Sequence, residues 1–387
     1  MSTHVEAVVE VRKPVEHPTL PPRERLLSLD VFRGFTILGM VLVNSHPVAI
    51  HPALGHARWN GWGFADLIFP FFVFIVGVAI PYSFANRMAR GESRQTLFRH
   101  IVRRSVLLFV VGVLLNGFPR FDLSTLRVMN VLQRIAICYF FASFIFVYIR
   151  MKTKSIVWLC GTILVLYYVW MQFVPVPGYG AGVLEPVGNW GNYIDQHIML
   201  GHMQHGNWEG KSLLGSFPAL VTMLMGLLTG VYLRTAQPAY EKLTQMFLYG
   251  NVCMAAGAIW SLWFPINQNL WTSSLVLFMG GMALVLLAAC YYAVDLRKAT
   301  WWTLPCLIFG VNSLAVWVLS QLGEKTLMTI SVPGPSGAAV SLWQACGDYF
   351  SGYLGPMNGS LAFAILYDLF WLGVMGILYR RRIFIKL

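Results

Sequence analysis

Charged residues are scarce in this chain of 387 residues, since Asp, Glu, Lys and Arg together make up only 11% of it. Soluble globular domains carry about 25% charged residues. Hydrophobic residues reach 57%, and the mean hydropathy is +0.62. This composition excludes an ordinary soluble domain and predicts a protein embedded in a lipid bilayer.

Acidic residues are the scarcer charged class, with 16 Asp and Glu against 28 Lys and Arg, for a net charge of +12. A basic excess can indicate a nucleic-acid partner. Here the basic residues lie in short clusters between apolar runs, without a basic stripe or a recognition motif. This pattern is typical of membrane topology, and we expect no nucleic-acid partner.

Cysteines are few, and their placement excludes a disulfide framework or a zinc pattern. Only Cys346 lies in a predicted loop, and the other five lie in apolar runs. We therefore interpret them as small buried hydrophobic residues.

The first 28 residues lack the apolar run of a cleavable signal peptide and are rich in proline and polar residues. They predict a disordered cytoplasmic tail over residues 1–28, followed by one transmembrane domain over residues 29–387.

The apolar runs predict an all-α polytopic membrane protein with about ten transmembrane helices. A spanning helix needs about 20 mostly apolar residues. The predicted spans are 29–48, 64–84, 105–118, 127–149, 155–174, 213–233, 244–264, 272–294, 301–322 and 360–379.

The Lys and Arg residues between these spans predict the orientation. With the N-terminus inside, 21 of them fall in inside segments and five in outside segments. The positive-inside rule then places both termini in the cytoplasm. Three substantial loops face outward, at 49–63, 175–212 and 323–359, and they are where binding and catalytic groups are expected.

A histidine lies at the outer mouth of the first helical hairpin. His56 carries the side chain whose ordinary pKa is nearest neutrality, so it is a candidate catalytic base. Asn44 ends the first span and Asp66 opens the second, so both can converge on His56. Asn44 could stabilise an oxyanion. Asp66 could hold the imidazole tautomer, or it could cap a helix.

Aromatic and polar residues in the outer loops suit a sugar. Trp59 and Trp208 could stack on a saccharide, while Asn60 and Glu209 could hydrogen-bond to it. An ordinary folded loop has the same composition. The histidines recur in two groups, but neither spacing matches a zinc motif, so we expect no metal. The groups are His46, His51 and His56, and His197, His202 and His205.

Two polar residues lie inside the fourth span. Arg134 requires a partner or a polar cavity at that depth, and Asp368 and Asp66 are candidate partners. It could form a buried ion pair or, like its neighbour Gln133, line a substrate pore.

Basic residues at the cytoplasmic ends of two spans allow two interpretations. Arg33, Arg103 and Arg104 could anchor the helices by the positive-inside rule, or could clamp phosphate groups.

Several stretches together resemble the catalytic region of the heparan-α-glucosaminide N-acetyltransferase family, including its bacterial members. They occur in order along the chain from about residue 26. The stretches are LDVFRG (29–34), VN (43–44), HARWNG (56–61), ADLIFP (65–70), VLQRIA (131–136), EG (209–210), FPINQNLWTSS (264–274) and GVNSLA (310–315).

The resemblance implies a polytopic acetyltransferase of the bacterial inner membrane. It would move an acetyl group from cytoplasmic acetyl-CoA to the amine of a glucosamine-type acceptor on the periplasmic side. His56 then matches the active histidine and Asn44 an active-site asparagine. His56 could act as a general base or as a covalent acetyl carrier. The family also implies a homodimer.

The residues expected to bind acetyl-CoA are five polar residues of the bundle, namely Arg33, Arg103, Arg104, Arg134 and Gln133. Two other functions fit the residues: an amino-sugar or cell-wall-fragment transporter, and an O-acetyltransferase acting on a surface polysaccharide.

Overall fold

The computed structural model describes residues 26–334 and 338–385, and within these ranges the chain is built from helices with one two-stranded hairpin. The helices are α1 (Leu27–Asn44), α2 (Phe64–Ala89), α3 (Arg94–Gly117), α4 (Val131–Phe144), α5 (Thr153–Phe173), α6 (Trp190–Ile198), α7 (Ser216–Leu233), α8 (Ala239–Trp260), α9 (Ser273–Cys290), α10 (Leu304–Val311), α11 (Ser313–Thr329), α12 (Leu342–Leu354) and α13 (Pro356–Arg380). The antiparallel strands are β1 (Ser331–Pro333) and β2 (Ala339–Ser341). A short 3₁₀ turn covers Pro52–Leu54, and π-helical turns extend α4 over Ile145–Ile149 and α9 over Tyr291–Leu296.

Every predicted span contains helix, which confirms the all-α polytopic fold. In the described ranges, seven helices are long and apolar enough to cross a membrane, and the bent pair α10–α11 would make eight. The helices α3 and α8 have spanning length but more polar sequences. Ten spans therefore stays a prediction. The helix α1 begins two residues before the predicted start, and residues 1–25 of the predicted tail lie outside the described residues.

The predicted continuous span 301–322 was wrong, because the chain breaks at Asn312 and bends by 84° between α10 and α11. The Asn312 amide donates to the carbonyl of Ile383 (3.1 Å) and accepts from the N–H of Ile385 (2.9 Å). The side chain thus satisfies backbone groups of the C-terminal segment and fixes that segment against the break.

The helix after the break runs further than predicted. The ammonium of Lys325, near the end of α11, donates to the carbonyl of Leu115 near the end of α3. The predicted loop 323–359 therefore holds the end of α11, the hairpin and α12, and Cys346 lies in a helix rather than in a loop.

The helix α2 packs closely against α7 through glycines. A Cβ on Gly226 would lie 2.0 Å from the carbonyl oxygen of Phe74, and one on Gly77 would lie 2.1 Å from that of Met223. Helices in lipid associate through such close contacts, since lipid tails provide no hydrophobic driving force. This packing fixes α2 with Asp66 at one end and Arg87 at the other.

Candidate active site

A histidine and a carboxylate are joined where α2 begins. His56 Nδ1 lies 2.6 Å from Oδ1 of Asp66. Oδ2 of Asp66 accepts from the N–H groups of Ala57 (2.8 Å) and Gly63 (2.9 Å). An ionised carboxylate only accepts hydrogen bonds, so Nδ1 carries the proton and Nε2 keeps its lone pair. Asp66 thus both caps α2 and orients His56, whose side chain is 51% exposed.

The pair lines a pocket of about 240 Å³. Like His56 and Asp66, Trp59 was predicted as a site residue, whereas the remaining polar residues of the pocket wall were not. The lining residues are His56, Ala57, Arg58, Trp59, Gly61, Asp66, Gln204, His205, Lys211, Gln268 and Asn269. Gln268 and Asn269 belong to the stretch 264–274, and the polar residues of that stretch were the sequence signal that could have identified them as site residues.

Trp208 and Asn60 do not line this pocket. Trp208 packs edge-on against Trp59, with ring centroids 5.5 Å apart, and stacks on His205 at 4.2 Å. The carbonyl of the Asn60 amide accepts from Nδ2 of Asn267 at 3.2 Å. Trp208 therefore packs against two residues of the pocket wall, whereas Asn60 contacts Asn267, which does not line the pocket.

Lys211 reaches into the same pocket, and its ammonium lies 5.6 Å from the centroid of the Phe69 ring. Burial, reinforced by the guanidinium groups of Arg134 and Arg127, lowers the pKa of the Lys211 ammonium to about 7. Desolvation has this effect because it disfavours the charged form. The only signal for Lys211 in the sequence was its position two residues after the predicted residue Glu209.

Glu209 was predicted to bind substrate, but it does not line the pocket. Its side chain is fully buried and forms a two-pronged ion pair with Arg127, in which Nε of Arg127 lies 3.0 Å from Oε2. It also accepts from the N–H groups of Gln204 (3.0 Å) and Lys211 (2.9 Å). This geometry favours a structural role, in which Glu209 holds the loop that carries Lys211.

Asn44 also lies outside the pocket. Its Nδ2 donates to the carbonyl of Met40 in its own helix at 2.9 Å. The segment after Asn44 runs to α13, where the N–H groups of Val48 and Ala49 donate to the hydroxyl of Ser360. The chain returns to the pocket only at His56.

A second cavity, of about 550 Å³, lies at the other end of α2. It brings together the predicted residues Arg33, Arg103 and Arg104, and it adds Arg87 and His100, which were not predicted. Arg87 and His100 belong to the same basic cluster of the sequence that was used to assign topology. Five basic groups around one cavity favour an anionic ligand.

Two of these arginines are held in place by their surroundings. The guanidinium of Arg104 lies 4.7 Å from the centroid of the Tyr139 ring, and its buried Nε has no hydrogen-bond acceptor among the described residues. Nη1 of Arg33 donates to Asp30 at 3.1 Å. A buried guanidinium nitrogen without an acceptor is costly and favours an anion there.

One face of α2 lines the pocket at one end and the cavity at the other. Residues three or four apart share a helix face, and over 21 residues at 1.5 Å each this face is about 30 Å long. Phe69 lies between the two ends and packs edge-on against Trp271 at 4.8 Å. On this face Asp66 lines the pocket, Phe69 lines neither space, and the cavity is lined by Phe72, Val76, Ala79, Ser83 and Arg87.

Arg134 and Gln133 line neither space. The pairing of Arg134 with Asp66 or Asp368 was wrong, because no carboxylate of the described residues lies within ion-pair distance of it. Its Nη2 donates to the carbonyl of Ser212 (2.8 Å), and its guanidinium lies 5.0 Å from the Trp271 ring. Gln133 is buried against Gly112 of α3.

The histidine groups are dispersed. Nδ1 of His51 accepts from the N–H of Ala53, while His197 and His202 hydrogen-bond to the carbonyls of Tyr193 and Leu126. Among residues 26–334 and 338–385, no three His, Cys, Asp or Glu side chains are grouped to hold a metal ion.

The fold and the site define a polytopic membrane protein with a histidine–carboxylate pair at one end of its bundle and a basic cavity at the other. No family model matches the chain. It is 30% identical over 365 residues to human heparan-α-glucosaminide N-acetyltransferase, which covers 79% of this chain and 54% of the human protein. The mouse protein is 31% identical over 363 residues, with 78% and 54% covered.

The chain therefore belongs to the heparan-α-glucosaminide N-acetyltransferase family. It spans about half the length of the curated relatives that it matches.

Proposed function

We propose that this protein transfers an acetyl group from cytoplasmic acetyl-CoA to the amine of glucosamine, or of a glucosamine-containing saccharide, on the periplasmic side of the bacterial inner membrane. The names of the human and mouse relatives describe N-acetyltransferases acting on heparan-α-glucosaminide. The acceptor of this chain is proposed as a glucosamine-type amine because its pocket has the aromatic and polar residues that suit a sugar.

The observation that carries the proposal is the face of α2 between two different sites. At one end His56 presents Nε2, and at the other five basic residues surround a cavity. Another part of the cavity wall is apolar and includes Phe72, Leu108 and Ile135. Basic groups suit the phosphates of acetyl-CoA, and an apolar wall suits its pantetheine arm. The thioester then reaches toward His56.

His56 performs the proton transfer in this mechanism. Its Nε2 takes a proton from the acceptor amine as the nitrogen attacks the thioester carbonyl. Asp66 holds the required tautomer and stabilises the imidazolium that forms. The same Nε2 would attack the thioester if His56 were a covalent carrier, and label retained on the protein without acceptor would indicate that route.

Acetyl transfer by purified protein tests the proposal, with labelled acetyl-CoA and glucosamine. We expect His56→Ala to abolish transfer, because the variant lacks the base that Asp66 orients. The matched control is His197→Ala, because His197 lies in α6, in another of the predicted outer loops, and outside the pocket. It should retain wild-type rates.

Other outcomes would identify the rival functions. Normal turnover by His56→Ala would contradict the assignment of the base. Binding of acetyl-CoA with transfer to hydroxyl groups, and not to amines, would indicate an O-acetyltransferase. Absence of acetyl-CoA binding, with accumulation of amino sugars in vesicles, would indicate a transporter.

A further inference from the structure

A lysine lies on the inner side of the His56–Asp66 pair. Lys211 lines the pocket of His56, yet its ammonium lies against Phe69. Phe69 follows Asp66 by about one helical turn along α2. It therefore lies between Asp66 and the residues of α2 that line the basic cavity. Lys211 is partly buried, whereas His56 is exposed at the mouth. A ligand that came from the basic cavity would therefore meet the ammonium first.

The carboxylates near Lys211 are committed to other groups. Asp66 accepts from His56 and from two backbone N–H groups. Glu209 pairs with Arg127. The ammonium therefore lies on an aromatic face, where a cation–π contact holds it in place while its N–H groups stay available to a ligand.

Resting on the acetyl transfer proposed above, we propose that Lys211 is the general acid that protonates the departing thiolate of CoA. The acceptor approaches His56 from outside and the thioester from inside. The sulfur therefore lies on the Lys211 side of the reacting carbonyl, and the amine lies on the His56 side. Two proton-transfer groups on opposite sides of one carbonyl suit the two proton transfers that amide formation from a thioester requires.

The step balances in atoms and electrons. The amine nitrogen forms a bond to the carbonyl carbon, and His56 takes one proton from that nitrogen. The C–S bond then breaks, the electron pair leaves on sulfur, and Lys211 gives it a proton to form the thiol. Solvent afterwards returns a proton to Lys211 and removes one from His56.

The environment of Lys211 suits an acid that works near neutral pH. Burial, together with Arg134 and Arg127, lowers its pKa to about 7, against the opposing charges of Glu209 and Asp66. An acid acts in its protonated form, so its contribution is present below about pH 7 and declines as the pH rises through that value. The remaining titratable or charged groups of the pocket are His56, His205 and Arg58.

The test compares two acetyl donors in Lys211→Met and Lys211→Arg. Acetyl-CoA expels a basic thiolate that needs a proton, whereas the acetyl thioester of 4-nitrothiophenol expels an acidic one that does not. We expect Lys211→Met to lower kcat with acetyl-CoA by about 10²-fold or more and to leave the aryl thioester rate nearly unchanged. Lys211→Arg should behave like Lys211→Met, because arginine keeps the charge but does not release its proton.

The pH profile provides a second measurement. The decline in kcat above about pH 7 should be present in the wild type and absent from Lys211→Met. The matched control is Lys154→Met, which removes an exposed lysine at the start of α5 and should leave both rates and the pH profile unchanged.

Three results would overturn the assignment. Equal losses with both donors would show a structural role for Lys211. Recovery of the acetyl-CoA rate in Lys211→Arg would show that charge, and not proton donation, is required. Wild-type protein that transfers acetyl from neither donor to any amine would overturn the proposed acetyl transfer, and the role of Lys211 with it.

Discussion

Replacing Asp66 with asparagine separates the two tasks of this carboxylate. Asp66 accepts three hydrogen bonds, with Oδ1 facing His56 and Oδ2 facing the N–H groups of Ala57 and Gly63. An asparagine amide has one oxygen and one NH₂ group. The oxygen should face the two backbone donors, so the NH₂ group faces Nδ1 of His56. Nδ1 must then accept, and the proton moves to Nε2, which can no longer act as a base.

The two tasks differ in magnitude. Forcing the wrong histidine tautomer in a serine-hydrolase triad costs about 10⁴ in kcat, and we expect a loss of about 10³–10⁴ here. This loss corresponds to about 4–5.5 kcal/mol of transition-state stabilisation. The helix cap survives in Asp66→Asn, so its free energy of unfolding should fall by only about 1 kcal/mol.

The assay is steady-state acetyl transfer, together with thermal unfolding in detergent, for Asp66→Asn and Asp66→Ala. Alanine removes the cap as well, so it should lose more stability than asparagine while both lose activity. An Asp66→Asn variant with a rate within tenfold of the wild type would refute the tautomer argument. Equal stability losses in the two variants would refute the capping argument.

Three further predictions concern the rest of the molecule. Arg104→Leu should raise KM for acetyl-CoA by about 10–100-fold with little change in kcat, since a charged hydrogen bond contributes about 1.5–3 kcal/mol; an unchanged KM would contradict the phosphate site. Gly226→Ala should lower the unfolding temperature, because its Cβ would lie 2.0 Å from a backbone carbonyl. Gly161→Ala, with no atom within 4 Å, should not lower it. Glu209→Gln should destabilise the fold by about 3 kcal/mol by leaving Arg127 without its partner. The KM of this variant for the acceptor should stay unchanged. A higher KM without loss of stability would instead indicate that Glu209 binds the substrate.

Much of the candidate site could be predicted from sequence because it depends on neighbouring spans. His56 and Asp66 are ten residues apart on either side of one helix start, so a short loop brings them together. Arg103 and Arg104 lie on α3, the helix that follows α2 after a short turn, so they share a cavity with Arg87. Local connectivity and the antiparallel order of spans were sufficient for both.

Residues whose partners are distant in sequence could not be assigned in this way. The expected partners of Arg134 were carboxylates, yet it hydrogen-bonds to a backbone carbonyl 78 residues away. Glu209 has the composition of a sugar ligand, but Arg127, 82 residues away, takes it into an ion pair. The break at Asn312 depends on its hydrogen bonds to the C-terminal segment, more than 70 residues away.

The sequence by itself determined the class of fold, since this chain is 57% hydrophobic and its apolar runs of about 20 residues cross a bilayer as helices. It also determined which end of each span is basic. Only the tertiary structure decided which polar groups face a shared pocket. Helix rotation and loop path set those positions, and they depend on packing between distant residues, such as the glycine contacts of α2 with α7. Lys211 became a candidate acid only when this packing placed its ammonium on Phe69, beside His56.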